Sequence, residues 1–405
     1  MRALVVLLAA SSLTRAWVPR TRARVDEVGD ATPADDAHVK ELKAQLAETQ
    51  FAYRRLQESV HEDAALNRRR GGAPAAHGSI PRVAFADLTD ARYLEHAASG
   101  VPLIVERLPS TLRNLTLELL LRRCGSRAVT LKERQPDSPA WAEMVPVEEA
   151  TLDAFARRPA SSRYLHDAPL ARLCPEALAA INFAPPRLFG GRQNWFASLP
   201  VGTLHGNASA SWPSLFLGRR GSSSGLHTDV LESHFWMYVV EGAKRWAVSV
   251  RGDVPVLCPR KSAAASSDRF RASLLGAGTH ACAGVGSAAV YFGIVEAGEF
   301  LYIPSGSPHE VLNGADENED RPALAVSMNY VDAANARHFA RAIRRCRHAG
   351  ALGLLLGRDA GASEASRFAA EVAERRAEAE FLDKLDALAD KFDEDPAAAL
   401  GVAYA

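Results

Sequence analysis

The amino-acid sequence predicts a mainly β protein, a barrel of two sheets with helices before and after it. From about residue 200, short apolar runs alternate with turn residues, a pattern typical of double-sheet barrels. Beyond Asp332, apolar residues recur at the three- and four-residue spacing of helices, over residues 334–348 and 366–392. The strand candidates are Ser214–Leu217, Phe235–Val240, Arg245–Val250, Ala288–Val295, Glu299–Ile303 and Leu324–Tyr330.

Upstream of the barrel the pattern mixes helices with strands, and the folded domain is predicted to begin near Ile80. Residues 80–332 are therefore predicted to form one domain, and residues 333–405 a C-terminal helical extension. The stretch 261–287 is rich in Ala, Ser and Gly, which predicts a long surface loop. The upstream candidates are helices over 88–98, 111–124, 152–158 and 169–181, and strands over 101–105 and 129–131.

The charge balance argues against two classes of partner. The 405 residues carry 48 basic and 48 acidic side chains. General binding to nucleic acid or to a membrane surface draws on an excess of basic charge. We therefore expect no nucleic-acid partner, and the length suits one large β domain with helical additions.

The cysteines indicate neither a zinc site nor a disulfide framework. There are five, scattered without a CxxC pair, which favours free thiols. An oxidising compartment would still allow one disulfide, between Cys258 and Cys282. The full set is Cys124, Cys174, Cys258, Cys282 and Cys346.

The N-terminus has the features of a leader. Arg2 precedes an apolar run over residues 3–13, which is shorter than the roughly 20 residues that span a bilayer. Small residues follow it, so we predict a signal peptide over 1–16 and no membrane span. Residues 17–34 begin with a basic, acid-poor segment like that of transit peptides. The secretory pathway, in the lumen of the endoplasmic reticulum or outside the cell, is the first prediction, and a plastid reached by a bipartite leader is the alternative.

Two helical segments carry apolar stripes with more than one interpretation. Residues 35–66 show a heptad pattern, which predicts either a coiled coil that makes a homodimer or an amphipathic helix on its own domain. Residues 67–79 have the composition of a flexible linker. The C-terminal stripe packs on the parent domain or pairs with a second chain. The stripes are Val39, Leu42, Leu46, Thr49, Tyr53, Leu56 and Val60 in the first helix, and Phe381, Leu385, Leu388 and Phe392 in the second.

A candidate metal site joins two distant stretches of the barrel. His227 and Asp229 are two residues apart, and side chains at i and i+2 of a strand point to the same face. His309 follows a turn-rich stretch, Pro304–Pro308, and is expected to reach the same ion from a strand across the barrel. Two imidazoles with one carboxylate form the ligand set of non-haem Fe(II) oxygenases, which leaves positions open.

The blocks around these residues resemble a known family. Gly225-x-His227-x-Asp229, residues 242–246, residues 298–304 and residues 309–313 are similar to the JmjC (cupin-like) 2-oxoglutarate oxygenases. The resemblance is strongest to the branch that includes the bifunctional arginine demethylase and lysyl-hydroxylase. It covers roughly residues 80–332 and includes the upstream stretches 100–104, 119–125 and 163–167.

The resemblance implies a fold and a set of site residues. The fold would be a double-stranded β-helix, the jelly-roll of cupin-like proteins. His227, Asp229 and His309 would bind Fe(II) as the catalytic centre, and Lys244 would pair with the distal carboxylate of 2-oxoglutarate. Independently of the family, a lysine in a sheet core is costly unless it meets an anion, although its stem can instead carry the charge to solvent. The hydroxyl and amide groups implied near the cosubstrate and metal belong to Ser224, Ser327 and Asn329.

The chain departs from the branch at the mouth of the pocket. Met237 stands where the branch has an asparagine, and Ser307-Pro308 replaces an aromatic pair before the last histidine. An acidic insertion, residues 315–320, follows Asn313. These departures concern affinity for 2-oxoglutarate and the identity of the substrate, and they leave the metal ligands unchanged.

The resemblance implies an oxygenase that hydroxylates a protein or peptide side chain, lysyl or arginyl in that branch. Such an enzyme uses molecular oxygen and releases succinate and CO₂. A secretory or plastid address favours hydroxylation over demethylation, because it separates the protein from chromatin. One alternative is a non-catalytic cupin-like binding protein, and another is a cupin enzyme that uses the metal without 2-oxoglutarate.

Overall fold

A computed structural model describes residues 78–159, 161–198, 212–260, 267–276, 282, 284–314, 321–348 and 364–399. Four sequence predictions lie outside these residues: the signal peptide over 1–16, the transit-like segment 17–34, the helix 35–66 and the acidic insertion 315–320. All but the end of the linker 67–79 lies outside them as well.

Sixteen strands dominate the described residues, and helices lie before, between and after them. The strands are β1 Gly78–Ser79, β2 Arg82–Ala84, β3 Leu103–Glu106, β4 Ala128–Arg134, β5 Met144–Thr151, β6 Tyr164–Pro169, β7 Ser214–Gly218, β8 Ser223–His227, β9 His234–Glu241, β10 Ala243–Ser249, β11 Pro259–Arg260, β12 Arg269–Phe270, β13 Val290–Glu296, β14 Phe300–Ile303, β15 His309–Asn313 and β16 Ala323–Tyr330. The α-helices are α1 Asp90–Ser99, α2 Leu117–Cys124, α3 Leu152–Ala156, α4 Leu170–Leu173, α5 Pro175–Ala180, α6 Ala336–His348, α7 Glu364–Glu394 and α8 Pro396–Ala399.

The strands form two sheets with an apolar layer between them. A seven-stranded sheet has the order β1-β13-β10-β15-β8-β12-β11, and a nine-stranded sheet has the order β2-β3-β14-β9-β16-β7-β6-β4-β5. Pairing is antiparallel except between β1 and β13 and between β2 and β3. Apolar side chains from both sheets meet in the interior, among them Phe235, Trp246 and Leu301. The predicted mainly β, jelly-roll fold is confirmed.

Strand β9 shows why these apolar runs form the centre of a covered sheet. Phe235 and Met237 point into the barrel, whereas Trp236 and Tyr238 point outward and pack with residues of α1, α2 and α3. Successive side chains of a strand alternate between faces, so a strand that is buried on both faces is apolar at every position. Strands that are buried on both faces, and therefore apolar throughout, are the ones that the sequence pattern predicts best.

Local signals set the ends of the first helix. The Thr89 hydroxyl accepts a hydrogen bond from the Arg92 amide at the N-terminus of α1, as N-cap threonines do. Gly100 ends the helix with a φ of 76°, in the left-handed region that favours glycine. The helix predicted over 169–181 divides at Cys174 into α4 and α5, because Pro175 cannot continue the first helix but suits the first turn of the next.

Eight of the sixteen strands are absent from the strand candidates, and the four longest of these are β5, β6, β8 and β15. Each contains polar or charged residues that interrupt the apolar run, such as His166 in β6 and Glu310 in β15. The stretch 261–287, predicted as a loop, contains the short strand β12 where the structure describes it. Three of these strands, β6, β8 and β15, carry residues of the candidate site, so the sequence pattern is weakest where polar groups are needed inside.

Two disulfides correct the expectation of free thiols. Cys258 pairs with Cys282, as the alternative prediction had it, and Cys124 pairs with Cys174 across 50 residues. The second pairing was not predicted. It joins the end of α2 to the residue between α4 and α5, so it ties two short helices of the outer layer together.

The C-terminal helices pack on the barrel domain. Phe381 and Leu385 of α7 are buried against Phe339 of α6 and Leu231 of the barrel. Leu388 and Phe392 are partly buried along the same stripe. The stripe thus contacts the parent domain, one of the two interpretations of its spacing. None of the helices among the described residues has the length and apolarity needed to span a membrane.

We expect Leu385→Ala to lower the free energy of unfolding by about 2–5 kcal/mol, because it removes a fully buried side chain and leaves a cavity. Urea unfolding monitored by circular dichroism measures this change. Asp383→Ala, an exposed position of the same helix, is the matched control and should shift stability by less than about 0.5 kcal/mol. An unchanged unfolding midpoint for Leu385→Ala would contradict this packing.

Candidate metal centre

The two histidines of the predicted site are neighbours in one sheet. His227 is the last residue of β8 and His309 is the first residue of β15, and the antiparallel register places them directly opposite each other. Their ring centroids are 4.4 Å apart. The expectation that His309 reaches the site from a strand across the barrel is therefore wrong. The ligand comes from the adjacent strand, because β15 enters the sheet beside β8.

Asp229 completes the cluster from a loop. Strand β8 ends at His227, and a short 3₁₀ turn begins after Asp229, so the argument from strand alternation does not apply to this residue. The loop nonetheless turns the carboxylate back toward the imidazoles. Oδ2 of Asp229 lies 3.8 Å from Nε2 of His309, and one ligand atom from each of the three residues lies within 4.8 Å of the others.

Backbone carbonyls orient both imidazole rings. Nδ1 of His227 is 2.7 Å from the Gly225 carbonyl oxygen, and Nδ1 of His309 is 3.0 Å from the Ser307 carbonyl oxygen. Each Nδ1–H donates to its carbonyl oxygen, so the lone pair of each Nε2 is free to bind a metal. Trp141 meets the His227 ring edge to face at 4.9 Å, and Phe235 stacks on His309 at 5.7 Å. Both rings therefore stand in the orientation that metal ligands adopt.

Burial sets the charges of the cluster. All three side chains are buried, and burial lowers the pKa of His227 well below its usual value, with nearby His309 adding to the effect. A neutral imidazole is the form that binds a metal. Burial also raises the pKa of Asp229, partly offset by His309 and by a hydrogen bond from Asn329. A carboxylate held in this place is stabilised by a cation.

Asn329 connects the carboxylate to the nine-stranded sheet. Its side chain bonds to Asp229, and its Nδ2 donates to the Ser233 hydroxyl at 2.9 Å. The residue lies on β16 with Ala325 and Ser327 on the same face, the face that Ala325 turns to the barrel interior. Asn329, which the resemblance implied near the metal, contacts Asp229 of the candidate cluster.

Lys244 is fully buried on β10, on the interior face that Trp246 and Val248 share. Its Nζ donates to the Tyr164 hydroxyl at 2.9 Å and to the Asn313 amide oxygen. No carboxylate pairs with it among the described residues, and burial lowers the pKa of its ammonium group to about 7. The stem does not carry the charge to solvent, so the alternative interpretation of this residue is wrong.

Two predicted serines lie inside the barrel near these groups. Ser224 precedes the first ligand on β8, and its buried hydroxyl has no hydrogen-bond partner in the part of the chain that the structure describes. Ser327 is buried on β16, directly opposite Met237 of β9. An unpaired buried hydroxyl is costly, so the Ser224 hydroxyl is available to a polar group of a ligand.

Sequence reasoning assigned no role to three groups that the structure places here. Tyr164 and Asn313 hold Lys244, and His166 lies beside Tyr164 with ring centroids 5.1 Å apart. The His166 ring is buried, and burial lowers its pKa well below the usual value. The i and i+2 spacing of Tyr164 and His166 would have indicated a shared strand face, had β6 been predicted.

Gly225 has a packing reason in addition to its place before the ligand. A Cβ at this position would lie 2.4 Å from an Oε atom of Glu143, so any side chain would displace that carboxylate. Glu143 in turn pairs with Arg134, whose guanidinium also reaches Glu310 next to the ligand His309. Glu310 accepts further bonds from Ser273 and from two backbone amides. These carboxylates thus brace the outer side of β8 and β15.

Comparison with known proteins identifies the family. Residues 87–335, more than half of the chain, match the family of the cupin-like domain. The chain belongs to the cupin-like domain family. A search of the curated proteins found no similar sequence. Membership in this family agrees with the two-sheet barrel. The matched region includes the candidate metal cluster and Lys244.

We expect Asp229→Asn to reduce iron retention by at least about tenfold while the domain still folds, because an amide replaces the only anionic ligand of the cluster. Iron content after desalting, measured by mass spectrometry, tests this. The matched control is Asp332→Asn: Asp332 is also a buried carboxylate beside a histidine, His234, but lies outside the cluster. Equal iron content in both variants would show that Asp229 is not a ligand.

Proposed function

We propose that this protein is an Fe(II)- and 2-oxoglutarate-dependent oxygenase that hydroxylates a protein or peptide side chain, lysyl or arginyl. The observation that supports this most strongly is the pairing of two buried features. A cluster of two imidazoles and one carboxylate lies in the same barrel as a buried ammonium group whose hydrogen-bond partners, among the described residues, are neutral. The cluster alone would suit several metals and the ammonium group alone would suit several anions, whereas together they match one cofactor pair.

The donor set suits Fe(II). Two neutral imidazoles and one carboxylate form a facial set that leaves coordination positions open, and no thiolate belongs to it among the described residues. Such a metal also requires that its ligands are held in place before it arrives. Carbonyl bonds to both Nδ1 atoms and the Asn329 bond to Asp229 meet this requirement.

The surroundings of Lys244 suit the distal carboxylate of 2-oxoglutarate. A buried ammonium group with only neutral partners is destabilised, and an incoming carboxylate removes that cost. The Tyr164 hydroxyl is already bonded to Nζ and can donate its own proton to the same carboxylate. The unpaired Ser224 hydroxyl and Ser327 offer further donors in the barrel.

When bound, iron and 2-oxoglutarate supply the oxidising chemistry with molecular oxygen, releasing succinate and CO₂ and leaving a hydroxyl group on the substrate. The protein orients the cosubstrate through Lys244 and keeps water away with aromatic rings around the histidines. Met237 places a thioether opposite Ser327, where the resembled branch has an amide. We therefore expect weaker binding of 2-oxoglutarate than an amide at that position would give.

Succinate release tests the proposal. Protein loaded with Fe(II) and given 2-oxoglutarate should form succinate, detected by NMR, and His227→Ala should abolish this turnover. If wild type and His227→Ala both show none, with or without candidate peptides, a non-catalytic cupin-like binding protein becomes the better interpretation. Turnover of a substrate that Lys244→Ala leaves unchanged would instead indicate a cupin enzyme that does not use 2-oxoglutarate.

The pH dependence of 2-oxoglutarate binding follows from Lys244. Its pKa of about 7 means that, above neutrality, the ligand-free protein must take up a proton to bind the dianion in this way. We expect affinity to be highest below pH 7 and to fall by up to about tenfold per unit above it. Calorimetric titration of the Fe(II) protein under nitrogen at pH 6.5, 7.5 and 8.5 measures this.

Lys244→Arg keeps its charge throughout this range and is the control for that experiment. Its affinity, whatever the absolute value, should be independent of pH between 6.5 and 8.5. A pH dependence that is the same in both proteins would show that another group is responsible.

We also propose that the protein matures in the secretory pathway, because two disulfides persist only in an oxidising compartment. Protein made in such a compartment should show one reactive thiol of five after denaturation without reductant, in an assay with Ellman's reagent. Replacing Cys124 and Cys174 together by serine should cost about 2–5 kcal/mol of stability, whereas Cys346→Ser breaks neither bridge and should cost less. Five reactive thiols would contradict this address.

A further inference from the structure

A second feature lies beside the candidate metal centre and plays no part in holding it. An open cleft of about 550 Å³ is lined by Arg260, Arg269 and Arg271 from β11 and the β12 segment, and, among the described residues, by one acid, Asp137. Three cations against one anion give this cleft a positive charge on a chain whose formal net charge is zero. Such a local excess attracts and binds anionic groups.

Strand register connects the cleft to the metal ligands. His309 lies opposite His227, His227 lies opposite Arg269, and Arg269 lies opposite Arg260, across the four neighbouring strands β15, β8, β12 and β11. Side chains at directly opposite positions point to the same face of a sheet. The two arginines therefore continue the row of the two histidines, about 5 and 10 Å from His227 at the usual strand spacing.

The wall of the cleft is shared with the metal centre as well. Asp137 and Pro139 line the cleft, and the same segment continues to Trp141, whose ring contacts His227. Arg269 donates to the Ser138 carbonyl oxygen and so joins β12 to this segment. A ligand in the cleft would thus lie against the segment that also covers the first histidine.

The arginines have bonding capacity left over. Arg269 is 9% exposed, and its Nε–H has no acceptor among the described residues. The same holds for Nε–H of Arg260, although another of its nitrogens pairs with Asp137. A buried donor without an acceptor is costly, and a carboxylate or phosphate oxygen would satisfy it.

We infer that this cleft binds an anionic side chain of the substrate, so that the protein acts on sites flanked by acidic residues. The inference deepens the proposed function and rests on it for the identity of the reacting centre. An extended peptide advances about 3.3 Å per residue, which places the anionic group about one to three residues from the side chain at the metal. A carboxylate and a phosphate share the chemistry that the arginines recognise, and the experiment separates them.

Three fluorescein-labelled nonapeptides with a central lysine are the probes. They carry two glutamates, two phosphoserines or two glutamines at the positions two residues before and after the lysine. Fluorescence anisotropy with the full-length chain measures their affinity at low and at physiological salt. We expect the glutamine peptide to bind at least about tenfold more weakly than the better of the two anionic peptides, and salt to reduce this difference. The stronger of the two identifies the preferred anion.

Variants of the cleft should change affinity in opposite directions. Arg269→Gln and the exposed Arg271→Gln should each weaken the anionic probe about three- to tenfold. Asp137→Asn should strengthen it, because it removes the acid that lines the cleft in the described part of the chain and releases Arg260. The φ of Asp137 is 70°, which asparagine also adopts, so the backbone is not strained. A gain in affinity cannot come from a damaged fold. Arg123→Gln, at an exposed position of α2 outside the cleft, should change neither peptide affinity nor succinate release.

The outcomes separate this inference from the proposed function. If the three peptides bind equally, or none binds, or Arg271→Gln and Asp137→Asn leave the anionic probe unaffected, the cleft does not recognise anions and the inference is wrong, even if the protein releases succinate. If the charge dependence is as expected but no succinate forms, the cleft is an anion site on a protein that is not an oxygenase.

Discussion

The pairing of β15 with β8 is the constraint on which the candidate metal centre depends. These two strands are separated by some eighty residues of chain, yet their register places His309 opposite His227 and sets the distance between the rings. A shift by one residue would turn one histidine to the other face of the sheet and dismantle the cluster. Hydrogen bonds on the outer side of the two strands support this register. Glu310 is bonded to Arg134, to Ser273 and to backbone amides, so the carboxylate next to one ligand holds the strand that carries it.

Among the described residues, the buried polar groups of the barrel interior include the His–Asp–His cluster, Lys244 and Ser224. Most inward side chains are apolar, which makes each buried polar group expensive unless it has a partner. Asp229 and the His309 imidazole face each other, but Lys244 meets only neutral oxygens and the Ser224 hydroxyl meets none that the structure describes. A fold that keeps such groups inside loses stability through them. Binding a cation at the cluster and a dicarboxylate at Lys244 would restore that stability. The proposed iron site and the proposed 2-oxoglutarate site therefore support each other.

The same register connects the candidate metal cluster to the neighbouring strands β12 and β11. Because opposite residues share a face, a row that starts with the two histidines of the candidate cluster continues with two arginines on β12 and β11. The row changes from imidazole to guanidinium groups within two strand spacings. The disulfide between Cys258 and Cys282 adjoins the same cleft and links β11 to the chain before β13, so the arginine end of the row is held covalently.

The sequence alone determined the fold class and indicated the three residues that the structure brings together as the candidate metal cluster. Strands buried on both faces are apolar at every position, as in β9, and the residue types His, Asp and His carry their chemistry wherever they lie. It also indicated Lys244, since a lysine in a sheet core needs an anion. The tertiary structure decided what depends on contacts between distant residues: that His309 is on the adjacent strand, that a loop carries Asp229, that Cys124 bonds to Cys174 and that two arginines follow the histidines. Local sequence does not determine strand register or the path of a loop, because both depend on the packing of segments that are far apart in the chain.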